Sequence, residues 1–211
     1  MDVARYDERA RGLHLPMYAY YAQKIIDSTG ITSGLCLDAG CGGGYLGLAL
    51  SGMTDLDFIF LDSSAPMLEK ADLHIIEDGL QDRARTLLAD VHHIPLEDGS
   101  VNLVISRGSI PFWDDPGAAL KELYRVLVPG GKAFLGGGRG TPEIKAHIAA
   151  TMKARGIESS KENKHRGEPP NRMLQRDYNE ILQQTGLPHF DLSNGEDGIW
   201  IQLWKEPKEQ K

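Results

Sequence analysis

Cysteine is nearly absent: Cys36 and Cys41 are the only two in 211 residues. Their spacing is not C-x-x-C, so neither a disulfide framework nor a zinc site is expected, and no metal is assigned. No apolar run approaches the roughly 20 residues that cross a bilayer. The opening segment MDVARYDERA has no apolar stretch of the signal-peptide kind. A cytoplasmic location with no membrane association is therefore expected. Basic charge is also in deficit, with a formal net charge of −7. That disfavours nucleic acid as a partner, because gripping a phosphate backbone requires a basic stripe. One segment runs against the trend. Residues 153–176 carry Lys153, Arg155, Lys161, Lys164, Arg166, Arg172 and Arg176 against Glu158, Glu162 and Glu168, and read as a solvated connector or an anion-binding surface. Internal repeats and low-complexity tracts are missing as well.

What is present is a rhythm. With 41% hydrophobic residues the chain can build one substantial core, so residues 1–211 are read as a single domain. Short apolar runs (GLCLDAG, DFIFLDSS, ARTLLAD, VNLVISRGS, KAFLGGG) alternate with helical patterns (YLGLALSG, PMLEKADLHIIEDG, GAALKELYRVLVPGG). That order is the signature of βαβ units around a parallel sheet, and the nearly continuous apolar character of the runs fits strands covered on both faces. Ala119, Leu120, Leu123, Val126 and Leu127 share a helical face, and Pro129-Gly130-Gly131 is expected to end that helix. After Gly138 the rhythm changes. Helices are expected near Pro142–Arg155 and Arg172–Thr185, a helical insertion over residues 141–187, followed by PHFDLSN and IWIQLWKE as an antiparallel hairpin. Before the first strand, Met17, Tyr20, Tyr21, Ile25 and Ile26 recur at helical spacing, so residues 1–30 are expected to form a helical cap.

The stretch LCLDAGCGGGYLGLAL holds two glycine frames. Gly42, Gly44 and Gly47 fit the G-x-G-x-x-G of a dinucleotide site, and Asp38, Gly40, Gly42 and Gly44 fit D-x-G-x-G-x-G. Ligands of open parallel sheets sit at the carboxyl ends of the strands, which puts Asp38–Gly44 at the site. A dinucleotide frame should follow the strand directly, yet four residues separate Leu37 from Gly42. A carboxylate at Asp38 facing a pyrophosphate would cost roughly 1 to 4 kcal/mol at contact distance. The same carboxylate favours a ligand with an amino group, a positive sulfur and no phosphate, which is S-adenosyl-L-methionine. Asp62, ending the second strand, can accept from ribose hydroxyls, a feature that also suits NAD. Asp90, at the end of the third, can accept from an adenine amino group while Val91 N–H donates to the ring, although a lone acid in such a place is often a turn residue.

On these motifs the chain resembles the class I S-adenosylmethionine-dependent methyltransferases, in the small-molecule, type 11-like branch, from about residue 18 to 205. CLDAGCGGG is similar to that family's first motif, FLDSSAPML to its second, ADVHHIPLEDGSVNLVIS to its third and fourth strands and ELYRVLVPGGKAFLG to its fifth. The resemblance implies an α/β fold: three layers, doubly wound, a mostly parallel seven-stranded sheet with a C-terminal antiparallel hairpin, Rossmann-like. It also implies a cofactor site with Gly40 and Gly42 against the methionine part, Asp62 and Ser63 at the ribose, Met67 against adenine, Asp90 and Val91 on the adenine edge, and Ser106 and Arg107 beside the methionine part. After the fourth strand, SRGSIPFW departs from the His-rich or Leu-rich turn of many quinone-biosynthesis members.

The expected function is S-adenosylmethionine-dependent methyl transfer to a small-molecule substrate by in-line displacement, by a monomer or homodimer. The alternatives are a non-catalytic S-adenosylmethionine-binding module, or a modifier of RNA or protein using residues 153–176. Tyr18, Tyr21, Phe112 and Trp113 are the candidate substrate walls, Trp113 equally suiting a core position. Arg107 can anchor a substrate carboxylate or phosphate, or the cofactor's own carboxylate. His92 and His93 are read as loop residues before they are read as bases, and no catalytic side chain is assigned.

Overall fold

The computed structural model describes residues 3–157 and 176–208. The expected helix start at Arg172 and most of the basic 153–176 segment lie outside them. Two helices come first, α1 (Val3–Gly12) and α2 (Leu15–Thr29). Then strands and helices alternate: β1 (Ser33–Ala39), α3 (Tyr45–Ser51), β2 (Asp55–Asp62), α4 (Ala65–Glu77), β3 (Ala84–Leu88), β4 (Val101–Arg107), α5 (Pro116–Val126) and β5 (Leu127–Gly137). A 3-10 turn at Ile110–Phe112 lies between β4 and α5. The chain then passes through α6 (Pro142–Ala154) and α7 (Tyr178–Thr185) to the hairpin of β6 (Phe190–Gly195) and β7 (Gly198–Trp204).

The seven strands form one sheet in the order β3-β2-β1-β4-β5-β7-β6. The first five strands are parallel, and β7 enters antiparallel to β5 and to β6. Because side chains alternate faces along a strand, each strand feeds two cores. Cys36, Phe58, Phe60, Leu103, Ile105 and Trp200 pack beneath α2, α3 and α4. Leu37, Ile59, Leu61, Val104, Leu135 and Ile201 pack against α5 and α7. The order of strands reverses between β1 and β4, so β1 has β2 on one side and β4 on the other. The loops leaving their carboxyl ends diverge there and leave room for a ligand.

The end of α5 differs from the expectation. The helix stops at Val126, and Leu127 already pairs with Val101. Val128 precedes a proline, which disfavours the helical region for it, and the backbone turns extended at Leu127 (φ −64°, ψ 135°) before Pro129 is reached. Arg125 in the last helical turn donates to the carbonyls of Ile94 and Leu96 (2.9 Å each), and Glu122 accepts from Ile94 N–H (2.8 Å). These bonds staple the loop after β3 to α5.

The hairpin is fastened to α2 by Asp197. Its carboxylate pairs with Lys24 and accepts from the Tyr20 hydroxyl (2.8 Å), and its carbonyl accepts from the Tyr21 hydroxyl (2.5 Å). Burial opposes ionisation of Asp197, but Lys24 and Tyr20 hold the carboxyl below its ordinary value. Such a group stabilises the fold above the unfolded-state pKa and loses that contribution as pH falls through the folded one. Asp197→Asn should therefore cost about 1 kcal/mol near neutral pH. Chemical denaturation should show the gap from the parent protein closing below about pH 4.

Candidate functional site

The site begins with how β1 turns into α3. Gly40, Gly42 and Gly44 have φ of 68°, 56° and 82°, in the left-handed region that side chains resist. A Cβ on Gly40 would also lie 2.4 Å from Cβ of Ser109. Gly42 is different: the nearest atom to a Cβ there is Sδ of Met67, at 4.0 Å, so its surface is open. The turn is closed onto the end of β2. Gly40 and Cys41 N–H both donate to the Leu61 carbonyl (2.8 and 2.9 Å), and Gly42 N–H donates to Oδ2 of Asp62 (2.8 Å). The other oxygen of Asp62 accepts from Ser64 N–H (2.9 Å) as α4 starts. Each carboxylate oxygen can accept more than one hydrogen bond, so Asp62 retains acceptor capacity toward a ligand.

Asp38 lies beneath this turn. It is 2% exposed, and its Oδ2 accepts from Gly47 N–H (3.0 Å). The expected open projection into the ligand space is thus modified. The strand pleat sends Asp38 to the α3 face, and the side chain touches the cavity from below while bonding the helix backbone. Burial pushes its carboxyl up to about 7, reinforced by the charge of Asp62 and opposed by the Gly47 amide. Its negative charge is therefore conditional at neutral pH and would be fixed by a cation above it.

These groups open into a cavity of about 510 Å³, within the usual range for small-ligand sites. Of the residues expected at the cofactor, the lining contains Asp38, Gly40, Gly42, Asp62, Ser63, Met67, Asp90, Val91 and Arg107. Tyr18, Phe112 and Trp113 line it too. Ser106 does not. It points to the other face of β4 from Arg107, fully buried, bonding the Ala39 carbonyl (2.7 Å) and the Ser109 hydroxyl (2.5 Å). Tyr21 also lies away from the cavity. It is fully buried against Trp200, ring centroids 4.7 Å apart, and its hydroxyl accepts from Gly140 N–H (2.8 Å) while donating to Asp197. Trp113 is both wall and core at 6% exposed, whereas Phe112 stands at the rim at 67%.

Asp90 is the outermost acid, and His92 N–H and the His92 ring hold its carboxyl below the usual range. The other ring nitrogen of His92 meets the Asp115 backbone (3.0 Å to the carbonyl). With both nitrogens engaged, His92 is a strut between the loop after β3 and the start of α5, as its reading as a loop residue anticipated. Sequence reasoning passed over Tyr6 and Tyr45, which also line the cavity. Tyr45 donates to Asp7 of α1 (2.9 Å), and the same carboxylate meets buried His74 of α4 (3.2 Å). Tyr45 was findable as the first residue of α3 after the glycines. Tyr6 lies in a helix with one buried residue, too weak a periodicity to detect.

A methyltransferase domain family matches residues 37–135. A crystal structure from Methanococcus maripaludis, described as an S-adenosyl-L-methionine-dependent methyltransferase, is 34% identical. It superposes with a TM-score of 0.81 over 99% of this chain and 94% of that one. Malonyl-[acyl-carrier protein] O-methyltransferase of Yersinia pestis is 39% identical over 100 residues, 47% of this chain and 35% of the relative. Demethylmenaquinone methyltransferase of Lactiplantibacillus plantarum is 34% identical over 98 residues, 46% of this chain and 41% of the relative. The chain thus matches well under half the length of these curated relatives. It belongs to the class I S-adenosylmethionine-dependent methyltransferases, whose cofactor is S-adenosylmethionine. The donor set fits that cofactor: carboxylates at three successive strand ends offer acceptors to amino and hydroxyl groups, and Gly42 leaves room for close approach. Among the described residues, no helix is long and apolar enough to cross a membrane, and no group of His, Cys, Asp and Glu is arranged to hold a metal.

The burial of Asp38 has a measurable consequence. Its carboxyl is raised in the fold from 3.8 to about 7, so the native state loses stability as pH rises from about 4 to 7 and stays lower above. Asp38→Asn keeps an acceptor for Gly47 and removes the buried charge. At pH 8, without cofactor, it should be more stable than the parent by about 2 to 4 kcal/mol, taking 1.36 kcal/mol per pKa unit. Urea denaturation across a pH series should show this difference at pH 8 and its shrinking toward zero by about pH 4.

Proposed function

We propose that the chain transfers the methyl group of S-adenosylmethionine to a small-molecule acceptor by in-line displacement. The observation that carries this reading is the convergence of Asp38, Asp62 and Asp90, from the ends of β1, β2 and β3, on one cavity above a glycine turn. The names of the relatives support the reaction class, and the acceptor of this chain is argued from its own cavity.

When bound, the cofactor supplies an electrophilic methyl group on a sulfonium. The residues of the chain bind and orient. Asp38 places negative charge under the methionine side, Asp62 and Ser63 face the ribose, and Asp90 with Val91 N–H edges the adenine, against which Met67 packs. The helices α1 and α2 act as the cap, α1 contributing Tyr6 and α2 contributing Tyr18 to the cavity wall. Tyr18, Phe112 and Trp113 exclude water, which favours a reaction in which concentrated charge is dispersed. Positioning alone can supply on the order of 7 to 11 kcal/mol in the best intramolecular cases. Both ring nitrogens of His92 are engaged, so it is not assigned as a general base.

Isothermal titration with S-adenosylhomocysteine tests the reading. The parent protein should bind it and not NAD. Asp62→Ala, which removes the ribose acceptor and also frees Gly42 N–H, should weaken binding by about 1.5 to 3 kcal/mol, the range for hydrogen bonds to charged groups. Preferential binding of NAD, or unaltered affinity in the variant, would remove it.

A further inference from the structure

The carboxylates that mark the cofactor side come from β3, β2 and β1, and the next strands in the sheet are β4 and β5. There the cavity changes sign. Arg107, the last residue of β4, lies on the same face as Leu103 and Ile105, so the pleat turns its guanidinium toward α2. The guanidinium stands over the rings of Tyr18 and Tyr21, 5.1 and 5.5 Å from their centroids. Its Nη2 donates to the Gly138 carbonyl just past β5 (2.7 Å) and to Sδ of Met17 (2.9 Å). Its Nε is sealed without a partner. Nη1 has no hydrogen-bond partner among the described residues, and no carboxylate among them lies within 4.0 Å of the side chain. The cation is therefore held in place, lines the cavity and lacks a counter-charge among the described residues.

The surroundings add positive charge. His14, in the link between α1 and α2, is held below the ordinary histidine range by burial and by Arg107, Arg9 and Arg139. Tyr18 stands against the guanidinium, and Tyr6, Tyr45, Phe112 and Trp113 add aromatic surface to the same cavity. A partly buried cation with no counter-charge among the described residues is costly, and an oxyanion delivered by a ligand relieves that cost while satisfying the open guanidinium edge.

We propose that the acceptor is an organic acid, with a carboxylate or phosphate bound by Arg107 and an apolar body held against the aromatic wall. This rests on the methyl-transfer reading and adds the substrate class to it. The oxyanion is assigned to the acceptor because the guanidinium leans away from β1 to bond the Gly138 carbonyl past β5; an oxyanion from the amino-acid end of the cofactor is the competing outcome of the test.

The test uses the full chain saturated with S-adenosylhomocysteine and titrated with benzoate, phenyl phosphate and benzyl alcohol. At least one of the two anions should bind tenfold or more tighter than the alcohol. Arg107→Met should erase that preference. Equal or undetectable binding of all three probes by the parent complex would overturn the proposal without reference to any variant. So would a variant that loses tenfold or more in affinity for S-adenosylhomocysteine but none for 5′-methylthioadenosine, since the guanidinium would then hold the cofactor's own carboxylate. Failure of the parent protein to bind S-adenosylhomocysteine at all would instead sink the methyl-transfer reading.

Discussion

The rest of the site depends on one closure: the glycine turn after β1 is bonded to the end of β2. Gly40 and Cys41 share the Leu61 carbonyl, Gly42 takes Asp62, and Gly47 takes Asp38 from the other side. Three positive-φ glycines let the backbone fold back within five residues, and the two carboxylates absorb amides that would otherwise be unpaired. Asp62 thus serves the fold with the same oxygens that the proposed function turns toward the ligand. The second motif is required for the first to hold its shape, which is why a strand-end acid and a glycine run separated by some 20 residues belong to one physical unit.

Asp38 carries the cost of that arrangement. A carboxylate with one backbone amide as its hydrogen-bond partner among the described residues, almost fully buried, is destabilising in its charged form. The fold tolerates it because the cores above and below the sheet are extensive, and in the proposed function a cation over the turn would convert the liability into binding energy. The local instability and the ligand preference come from the same buried charge, so a substitution that relieves one weakens the other.

The sequence carried the alternation of elements, the parallel sheet, the final hairpin and the carboxyl-end location of the site, because these follow from hydrophobic periodicity and from glycine and proline chemistry. It did not carry the end of α5, where pairing with Val101 draws Leu127 into a strand ahead of the proline. Nor did it separate Ser106 from Arg107, adjacent in the motif but on opposite faces of β4, or Tyr18 from Tyr21, one turn apart with only the first at the cavity. These distinctions turn on the register of a pleat and the rotation of a helix, each a difference of a few ångströms that a motif spanning both residues leaves undetermined. Asp7, which joins α1 to Tyr45 and His74, is a long-range contact with no local signature.

The two halves of the cavity differ in how they are encoded. The half near β1, β2 and β3 is built from main-chain turns and from side chains at strand ends, whose positions follow once the parallel sheet is fixed. The half near β4 and β5 is built from α1, α2 and the 3-10 turn, elements that meet it only through tertiary packing. The motif half can therefore be read from spacing in one chain, whereas an acceptor bound in the other half, as proposed, would depend on which side chains α1 and α2 bring across. The same asymmetry lets the acceptor side vary while the glycine turn and its acids stay intact, because a change at Phe112 or Tyr6 leaves the closure between β1 and β2 untouched.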